Sequence, residues 1–336
     1  MKTPEKCNKT TASTGVEAEK NAKIGLLMLP KHATGQMAMQ MVLKQLQLDM
    51  SQHEGGVRED CNIECLHDFR VAIRRTRSVL RQVKGIWPSE KTERFNTLFQ
   101  DIGRNTGRVR DLDVCLLSEA IYRSLLPEAL QEGMTGLFAL LKKARRLAYR
   151  KMVVFLNAST YGVLKADWER FLTDPGAGGP NAEKPAVVLA QTWIYKRYRH
   201  VVTCGRSINE ESPDEHWHQL RIECKKLRYL LEFFASLFPQ ESMQELIGQL
   251  KGLQDLLGHF NDLSVQQSEL LHVIGFVLPK SRQKNRLMIA AATGGLIARL
   301  YDNKQQIRAT LGQTFAAFDT PGQAEVYDLL YRQSVS

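Results

Sequence analysis

Hydrophobic residues recur at spacings of three and four along most of the chain, which is the period of one face of an α-helix. No stretch alternates apolar and polar residues between the turn signals that a β-hairpin would need. The pattern predicts an all-α protein with about four main helices in each half, as in four-helix bundles. The predicted helices are 35–50, 62–85, 89–105, 111–123 and 127–156 in the first half, and 186–207, 214–237, 240–257, 262–277, 281–301 and a closing pair in the second.

The two halves of the chain resemble each other. When segment 66–114 is placed over segment 217–265, one register holds over the whole length without a gap. The identical pairs include His67 with His218, Arg70 with Arg221, Arg77 with Arg228, Pro88 with Pro239, Gly107 with Gly258 and Asp111 with Asp262. Arg74 and Arg75 fall on Lys225 and Lys226, so charge is kept where identity is not. The match indicates an internal duplication.

This duplication predicts the organisation of the chain. Residues 173–185 are rich in proline and glycine, a composition typical of a linker. Residues 1–25 are mostly polar, and we interpret them as a flexible tail. The rest divides into a first helical repeat over 26–172 and a second over 186–336, and we expect one four-helix bundle from each.

Basic residues follow one side of the repeated helix. When the first copy is projected at about 100° per residue, one set shares an arc of roughly 80°. Its members are His67, Arg70, Arg74, Arg77 and Arg81. The second copy repeats this basic stripe with His218, Arg221, Lys225 and Arg228, while Arg75 and Lys226 lie on the flanks. Apolar residues occupy the opposite face of both helices, which is therefore predicted to face a core.

The composition suggests a polyanionic partner. The 336 residues include 46 Lys and Arg against 36 Asp and Glu, a formal net charge of +10. From Arg70 to Arg110 there are eleven Lys or Arg and only three acids. Like charges on neighbouring turns repel, so this imbalance favours an anion-binding face over a merely solvated one. Further basic groups are predicted to wall the site, namely Lys142, Arg145, Arg146, Arg150, Lys196, Arg197, Arg199, Arg206, Arg282 and Arg286.

Two aspartates stand at equivalent places in the repeats. Asp111 and Asp262 follow Arg110 and Asn261 at predicted helix starts, where we interpret them as N-caps that accept from free backbone N–H groups. The alternative is that each carboxylate orients an arginine of the basic stripe through a bidentate pair.

The motifs resemble those of the CHAD family, whose name stands for conserved histidine α-helical domain. The resemblance lies in the run Leu66-His-Asp-Phe-Arg-Val-Ala-Ile-Arg-Arg-Thr-Arg77, in Gly107-x-x-Arg-Asp-Leu-Asp-Val114, and in the echoes of both from His218 and from Gly258. It covers about residues 26–336. It implies two pseudo-symmetric four-helix bundles around a basic cleft, and binding of inorganic polyphosphate without catalysis.

The resemblance also assigns residues. The motif histidines are His67 and His218, and the motif cations are Arg70, Arg74, Arg75, Arg77, Arg221, Lys225, Lys226 and Arg228. With Arg81, Arg108, Arg110 and the further basic groups, they form the predicted polyphosphate site. Members are often fused to a CYTH-type enzyme marked by Glu-x-Glu-x-Lys. Here Glu17, Glu19 and Lys20 miss that spacing, so we expect a stand-alone member.

Three other functions stay open. Nucleic acid could contact the basic stripe, although neither repeated helix interleaves aromatics for stacking and no nucleic-acid-reading motif occurs. A metal-dependent phosphohydrolase is suggested by His67-Asp68, but the second copy reads His218-Gln219. A scaffold for an acidic protein is the third. We expect no catalytic residue, no cofactor and no metal.

The ends and the cysteines suggest a compartment. Residues 1–29 lack the apolar core of a secretory signal, and the six cysteines contain no C-x-x-C pair. The longest weakly polar run, 287–297, is too short to span a membrane. We therefore expect a cytoplasmic protein, with association to polyphosphate granules as a further expectation.

Overall fold

The computed structural model describes residues 27–280 and 285–332. Within these ranges it is built of α-helices and short helical turns and has no β-strand, which confirms the all-α prediction. The predicted tail at 1–25 lies outside the described residues. The helices are α1 Gly35–Glu59, α2 Ile63–Gln82, α3 Ser89–Leu117, α4 Glu119–Ser124, α5 Gln131–Leu156, α6 Ser159–Thr173, α7 Ala186–Arg206, α8 Asp214–Phe234, α9 Gln240–His272, α10 Arg286–Phe318 and α11 Pro321–Tyr331.

The predicted break before Asp111, and its counterpart before Asp262, is wrong. Helix α3 runs on to Leu117 and α9 to His272, so both aspartates lie inside a helix and neither is an N-cap. Buried residues continue at helical spacing through the predicted break, for example Val109, Leu112 and Cys115 in α3. Glycines in the helix interior weaken it only modestly, and this packing outweighs the cost. Helix α6 was not predicted.

Local caps explain where the first helices begin. The side chain of Thr34 accepts a hydrogen bond from Met37 N at the start of α1, and Asn62 Oδ1 accepts one from Glu64 N at 2.9 Å at the start of α2. Asp60, in the left-handed conformation with φ 55°, ends α1. The turn between α1 and α2 is therefore set by local polar groups.

Two apolar cores hold the helices together, and each draws on both halves of the chain. The larger contains α1 and α2 together with α7 and α8, and the smaller contains α5, α10 and the C-terminal parts of α3 and α9. Contacts join α1 to α7, α2 to α8, α3 to α9 and α5 to α10, so each of these eight helices meets its counterpart in the other predicted repeat. Such contacts agree with a duplication, which itself stays a prediction.

The proline- and glycine-rich segment is hydrogen bonded to the first half of the chain. Gly179 N donates to Ile86 O and Asn181 N to Gly85 O, each at 2.8 Å. Gly85 has φ 76°, a conformation that favours glycine, and its turn receives the segment. The segment is therefore bound to the turn between α2 and α3, although its predicted borders match the end of α6 and the start of α7. The division into two repeats stays a prediction.

No helix within the described ranges has an apolar stretch long enough to cross a membrane.

The close contact between α5 and α10 generates a stability prediction. A Cβ at buried Gly133 would stand 2.2 Å from the backbone oxygen of Met288, so Gly133→Ala must push the two helices apart. We expect the free energy of unfolding to fall by roughly 1–3 kcal/mol, measured by chemical denaturation. The control is Gly252→Ala in α9, where a Cβ has open space. It should be neutral or stabilising by up to about 1 kcal/mol, and equal effects of the two variants would contradict the packing.

Candidate functional site

A cavity of about 490 Å³ lies where α2, α3, α8 and α9 meet. Eight of its lining residues are arginines or lysines. These cavity cations are Arg70, Arg74, Arg77 and Arg81 from α2, Arg110 from α3, and Arg221, Lys225 and Lys226 from α8. The other lining residues are His67, Ser78, Gln82, Asp111, Val114, Ile222, Tyr229, Asn261, Asp262, Val265 and Gln266.

Apolar packing directs the cations into this cavity. In α2 the side chains of Phe69, Ile73 and Leu80 are buried in the larger core, and in α8 those of Leu220 and Leu227 are buried in the same core. Because both helices bury one face, the opposite face must turn away from that core. The apolar spacing of the two helices therefore decides where the basic stripe points.

Arg70 is the most firmly held cavity cation. Its Nη1 donates to Gly103 O and to Thr106 Oγ1 of α3, both at 2.8 Å, and Thr106 in turn donates to Ile102 O. Burial, followed by the neighbouring charge of Arg74, lowers the pKa of Arg70 to about 10. The α3 backbone thus orients a guanidinium that water solvates poorly.

Several cavity cations have donors without an acceptor. The Nε atoms of Arg70, Arg77 and Arg221 and the Nη1 of Arg110 are buried and make no hydrogen bond with any described residue. A buried N–H of this kind costs free energy until an acceptor reaches it. Oxygens of an anion in the cavity could serve as these acceptors.

Lys225 and His67 both have strongly lowered pKa values in the cavity. Burial, then Arg221 and Arg74, lowers the pKa of Lys225 to about 7. Burial, then Arg110 and Arg74, lowers the pKa of His67 to about 4. Both shifts have the same physical cause, because adding a proton places one more positive charge beside guanidinium groups in a poorly solvated space.

Two carboxylates share the cavity with the cations. Burial is the main reason that the pKa of Asp111 is raised, with Arg70 opposing the rise and Glu269 and Asp262 adding to it. Asp262 in turn opposes the fall in the pKa of Arg221, which burial causes. The aspartates therefore act on the arginines of the basic stripe through their charge, and the described residues do not show the bidentate pair that the alternative interpretation named. Within the described ranges neither forms an ion pair with an arginine.

Some residues of the predicted site are placed elsewhere. Arg75 is buried, pairs with Glu232 and lies over the Tyr229 ring at 5.4 Å. Arg228 pairs with the same Glu232 at 2.6 Å. His218 is exposed, with Nδ1 2.7 Å from Asn261 Oδ1. These three do not line the cavity, and their partners are Glu232 of α8 for both arginines and Asn261 of α9 for the histidine.

The basic groups predicted to wall the site also lie off the cavity. Their runs contain no acid in the sequence, yet the fold brings acids to them. Arg145 pairs with Asp60 at 2.6 Å and with Asp113 at 2.7 Å, and Arg206 pairs with Asp319 at 2.6 Å. The remaining members outside the cavity are Lys142 near Glu119, Arg108 near His272 and Glu269, Arg197 against Glu223, and the exposed Arg146, Arg150, Lys196 and Arg199.

The last two predicted residues stand near the start of α10. Arg282 lies outside the described residues. Arg286 is the first residue of α10, and its Nη2 donates to Pro279 O at 2.9 Å, away from the cavity. The assignment of the basic groups off the cavity to a ligand site stays a prediction.

Sequence reasoning missed several polar lining residues. Ser78 and Gln82 continue the basic stripe on α2, and Gln82 Nε2 donates to Ser78 Oγ at 2.6 Å and to Lys226 O at 3.2 Å. Their helical spacing from Arg74 was a usable signal, since residues four apart share a face. Asn261 occupies the place of Arg110 in the second repeat, which was also a usable signal. Gln266 carried none, because nothing in the sequence places α9 beside α2.

His67 and Asp68 do not act together. His67 lines the cavity, whereas Asp68 is exposed, with Oδ2 3.9 Å from His53 Nε2. Adjacent residues on a helix point about 100° apart, so the pair cannot chelate one ion. Among the described residues, no group of three or more His, Cys, Asp or Glu side chains is placed to hold a metal.

The chain is similar to known proteins in both sequence and fold. A family model described as "CHAD domain" matches residues 41–271. The fold is similar to the crystal structure of the CHAD domain from the plant Ricinus communis, with TM-score 0.67 and 24% identity over 85% of this chain and 94% of that one. It is also similar to PptA from Streptomyces chartreusis, with TM-score 0.60 and 15% identity over 84% of this chain and 100% of that one. No curated protein matches.

Repulsion among the cavity cations generates a prediction for two neighbouring arginines. Arg74 is exposed at the cavity, so Arg74→Gln should raise the free energy of unfolding by roughly 0.5 kcal/mol or more. Added salt should shrink this gain, since salt screens the repulsion.

The neighbouring Arg75 pairs with Glu232, so Arg75→Gln should instead lower the free energy of unfolding by roughly 1.5–3 kcal/mol. Denaturation at low and high salt tests both. Destabilisation by Arg74→Gln at low salt would contradict repulsion.

Proposed function

The chain belongs to the CHAD domain family, and on that premise we propose that it binds inorganic polyphosphate in the cavity between α2, α3, α8 and α9. The role is binding, and the cavity performs no catalysis of its own. Association with polyphosphate granules in the cytoplasm would follow from such binding.

The observation that carries the proposal is the set of cations without counter-charges. Seven of the eight cavity cations form no ion pair with a described residue; the exception is Lys226, 2.7 Å from Glu223. Buried charges are ordinarily paired, so the set suits a ligand that brings its own negative charge.

A phosphate polymer matches this arrangement better than a single phosphate does. Polyphosphate carries about one negative charge per unit, so a line of cations can bind it along its length. Arg70, Arg74, Arg77 and Arg81 follow one face of α2, and Arg221 and Lys225 follow the facing side of α8. Guanidinium groups bind phosphate oxygens bidentately, while lysines add mobile point charges.

The aromatic residues of the site argue against nucleic acid as the preferred ligand. Tyr229 is the sole aromatic among the cavity residues described apart from His67, and it is buried with Arg75 over its ring. Single-stranded nucleic acids are usually bound by stacking bases on exposed aromatic rings as well as by phosphate contacts. A polymer without bases requires only the cations.

Charge reversal inside the cavity should weaken polyphosphate binding. For Arg74→Glu and for Lys225→Glu we expect the Kd for long-chain polyphosphate to rise at least about tenfold, since each replaces an attraction with a repulsion. Calorimetry or filter binding at fixed ionic strength measures it. The matched control is Lys44→Glu, an exposed residue of α1 outside the cavity with the same change in charge, which should alter Kd less than about twofold.

Three outcomes would contradict the proposal. Equal weakening by all three variants would mean that net charge, and not the cavity, binds the polymer. Competition by single- or double-stranded nucleic acid at matched charge as effective as that of polyphosphate would favour a nucleic-acid ligand. Release of inorganic phosphate in the presence of Mg²⁺, Mn²⁺ or Zn²⁺ would reveal catalysis.

Binding should strengthen as pH falls from 8 to 6. In the free protein the pKa of Lys225 is lowered to about 7, and a bound polyanion favours the charged amine and raises this pKa. Binding therefore takes up a proton above pH 7, and affinity should increase roughly threefold to tenfold over this interval. Lys225→Arg keeps a permanent charge and should flatten the profile. Long chains are needed, because the end groups of short ones titrate in the same range. An unchanged profile in Lys225→Arg would assign the proton to another group.

A further inference from the structure

Two consecutive lysines of α8 have different surroundings. Lys226 Nζ lies 2.7 Å from Glu223 Oε1, and Glu223 also pairs with Arg197. Lys225 lines the same cavity but forms no hydrogen bond or ion pair with any described residue. Its side chain is half-buried and lines the space between the helices.

Charged groups from three helices surround this amine. Arg221 and Arg228 act on it from α8, Arg74 from α2, and Asp262 from α9. Burial and the three arginines lower its pKa to about 7, although Asp262 opposes them. At neutral pH a large fraction of Lys225 therefore has a free lone pair on Nζ, whereas an ordinary lysine with a pKa of about 10.4 has almost none.

A free amine beside several arginines suits a reagent that combines a phosphate with an electrophilic carbon. The reagent must carry a phosphate for the arginines and an electrophilic carbon for the amine, and acyl phosphates carry both. We propose that Lys225 is an acylation site whose donor is an acyl phosphate. Arg74 and Arg221 would hold the phosphate group and bring the carbonyl carbon to Nζ.

The reaction balances without a further reactant. The lone pair of Nζ attacks the carbonyl carbon, a carbon–nitrogen bond forms, and the bond from that carbon to the phosphate oxygen breaks. Inorganic phosphate leaves with the electron pair, and the proton lost by nitrogen goes to the phosphate or to water. The product is an amide, which removes the charge of Lys225 from the cavity. Its effect on polyphosphate binding rests on the proposed function, but the acylation itself requires only that the arginines bind a phosphate group.

Acetyl phosphate is the probe for this reaction. The full-length protein is incubated with it at pH 7.5, and acetylation of each lysine is followed by peptide mass spectrometry. We expect Lys225 to react about tenfold faster than Lys226, whose amine is held by Glu223, and than exposed Lys44. Fragmentation spectra separate the adjacent Lys225 and Lys226.

A neutral acetylating reagent separates phosphate binding from basicity. The N-hydroxysuccinimide ester of acetic acid reacts with any unprotonated amine but has no phosphate for the arginines to bind. The preference for Lys225 over Lys44 should be larger with acetyl phosphate than with this ester by roughly threefold or more. Arg74→Gln and added pyrophosphate should both reduce the additional preference for Lys225 that acetyl phosphate shows over the ester.

Two results would overturn the inference. One is that the rates of acetylation follow side-chain exposure, so that Lys44 reacts faster than Lys225. The other is a preference for Lys225 that is the same with the neutral ester and unaffected by pyrophosphate. Either can be observed whether or not polyphosphate binds. The acetylation pattern is measured on the protein with its natural sequence, whereas polyphosphate binding is tested with the charge-reversal variants. The two proposals therefore fail separately.

Discussion

The site depends on one constraint, which is that apolar packing holds two basic helix faces together against their mutual repulsion. Helices α2 and α8 bury Phe69, Ile73, Leu220 and similar side chains in the larger core, which leaves the opposite faces directed at a shared cavity. Hydrophobic burial of several large side chains on each helix is worth more than the repulsion between partly solvated cations. Repulsion among the cavity cations therefore raises the electrostatic free energy of this region, and the negative charge of an anion would lower it.

The lowered pKa values reflect burial first and repulsion between neighbouring cations second. Arg70, Lys225 and His67 each bind a proton less readily than the free side chain would, with burial as the largest cause and neighbouring cations next. Where a cation of the basic helices does have a partner, as Arg75 has Glu232 and Lys226 has Glu223, its charge is compensated within the protein. In the function proposed above, the unpaired cations attract the ligand.

The repeated sequence and the contacts between equivalent helices are related in a physical way. When a basic helix is present twice and the two copies pack near one another, their charges converge on one space, and one extended anion can neutralise both. The same arrangement brings Asp111 of α3 and Asp262 of α9 into that space, where each moderates the charge on an arginine of its own half. The smaller core, formed by α5, α10 and the ends of α3 and α9, supports this arrangement.

The sequence by itself determined the all-α class, the two basic helices and most of the cations that line the cavity, because helical periodicity is local and assigns each residue to a face. Arg70, Arg74, Arg77, Arg81, Arg221 and Lys225 could all be found in this way. Only the tertiary structure decided which cations are compensated. Arg145 meets Asp60, 85 residues away, and Arg206 meets Asp319, 113 residues away, so runs that contain no acid in the sequence are paired in space. The uninterrupted α3 and α9 were also decided by packing, since burial beyond Asp111 and Asp262 outweighed the local signals for a break.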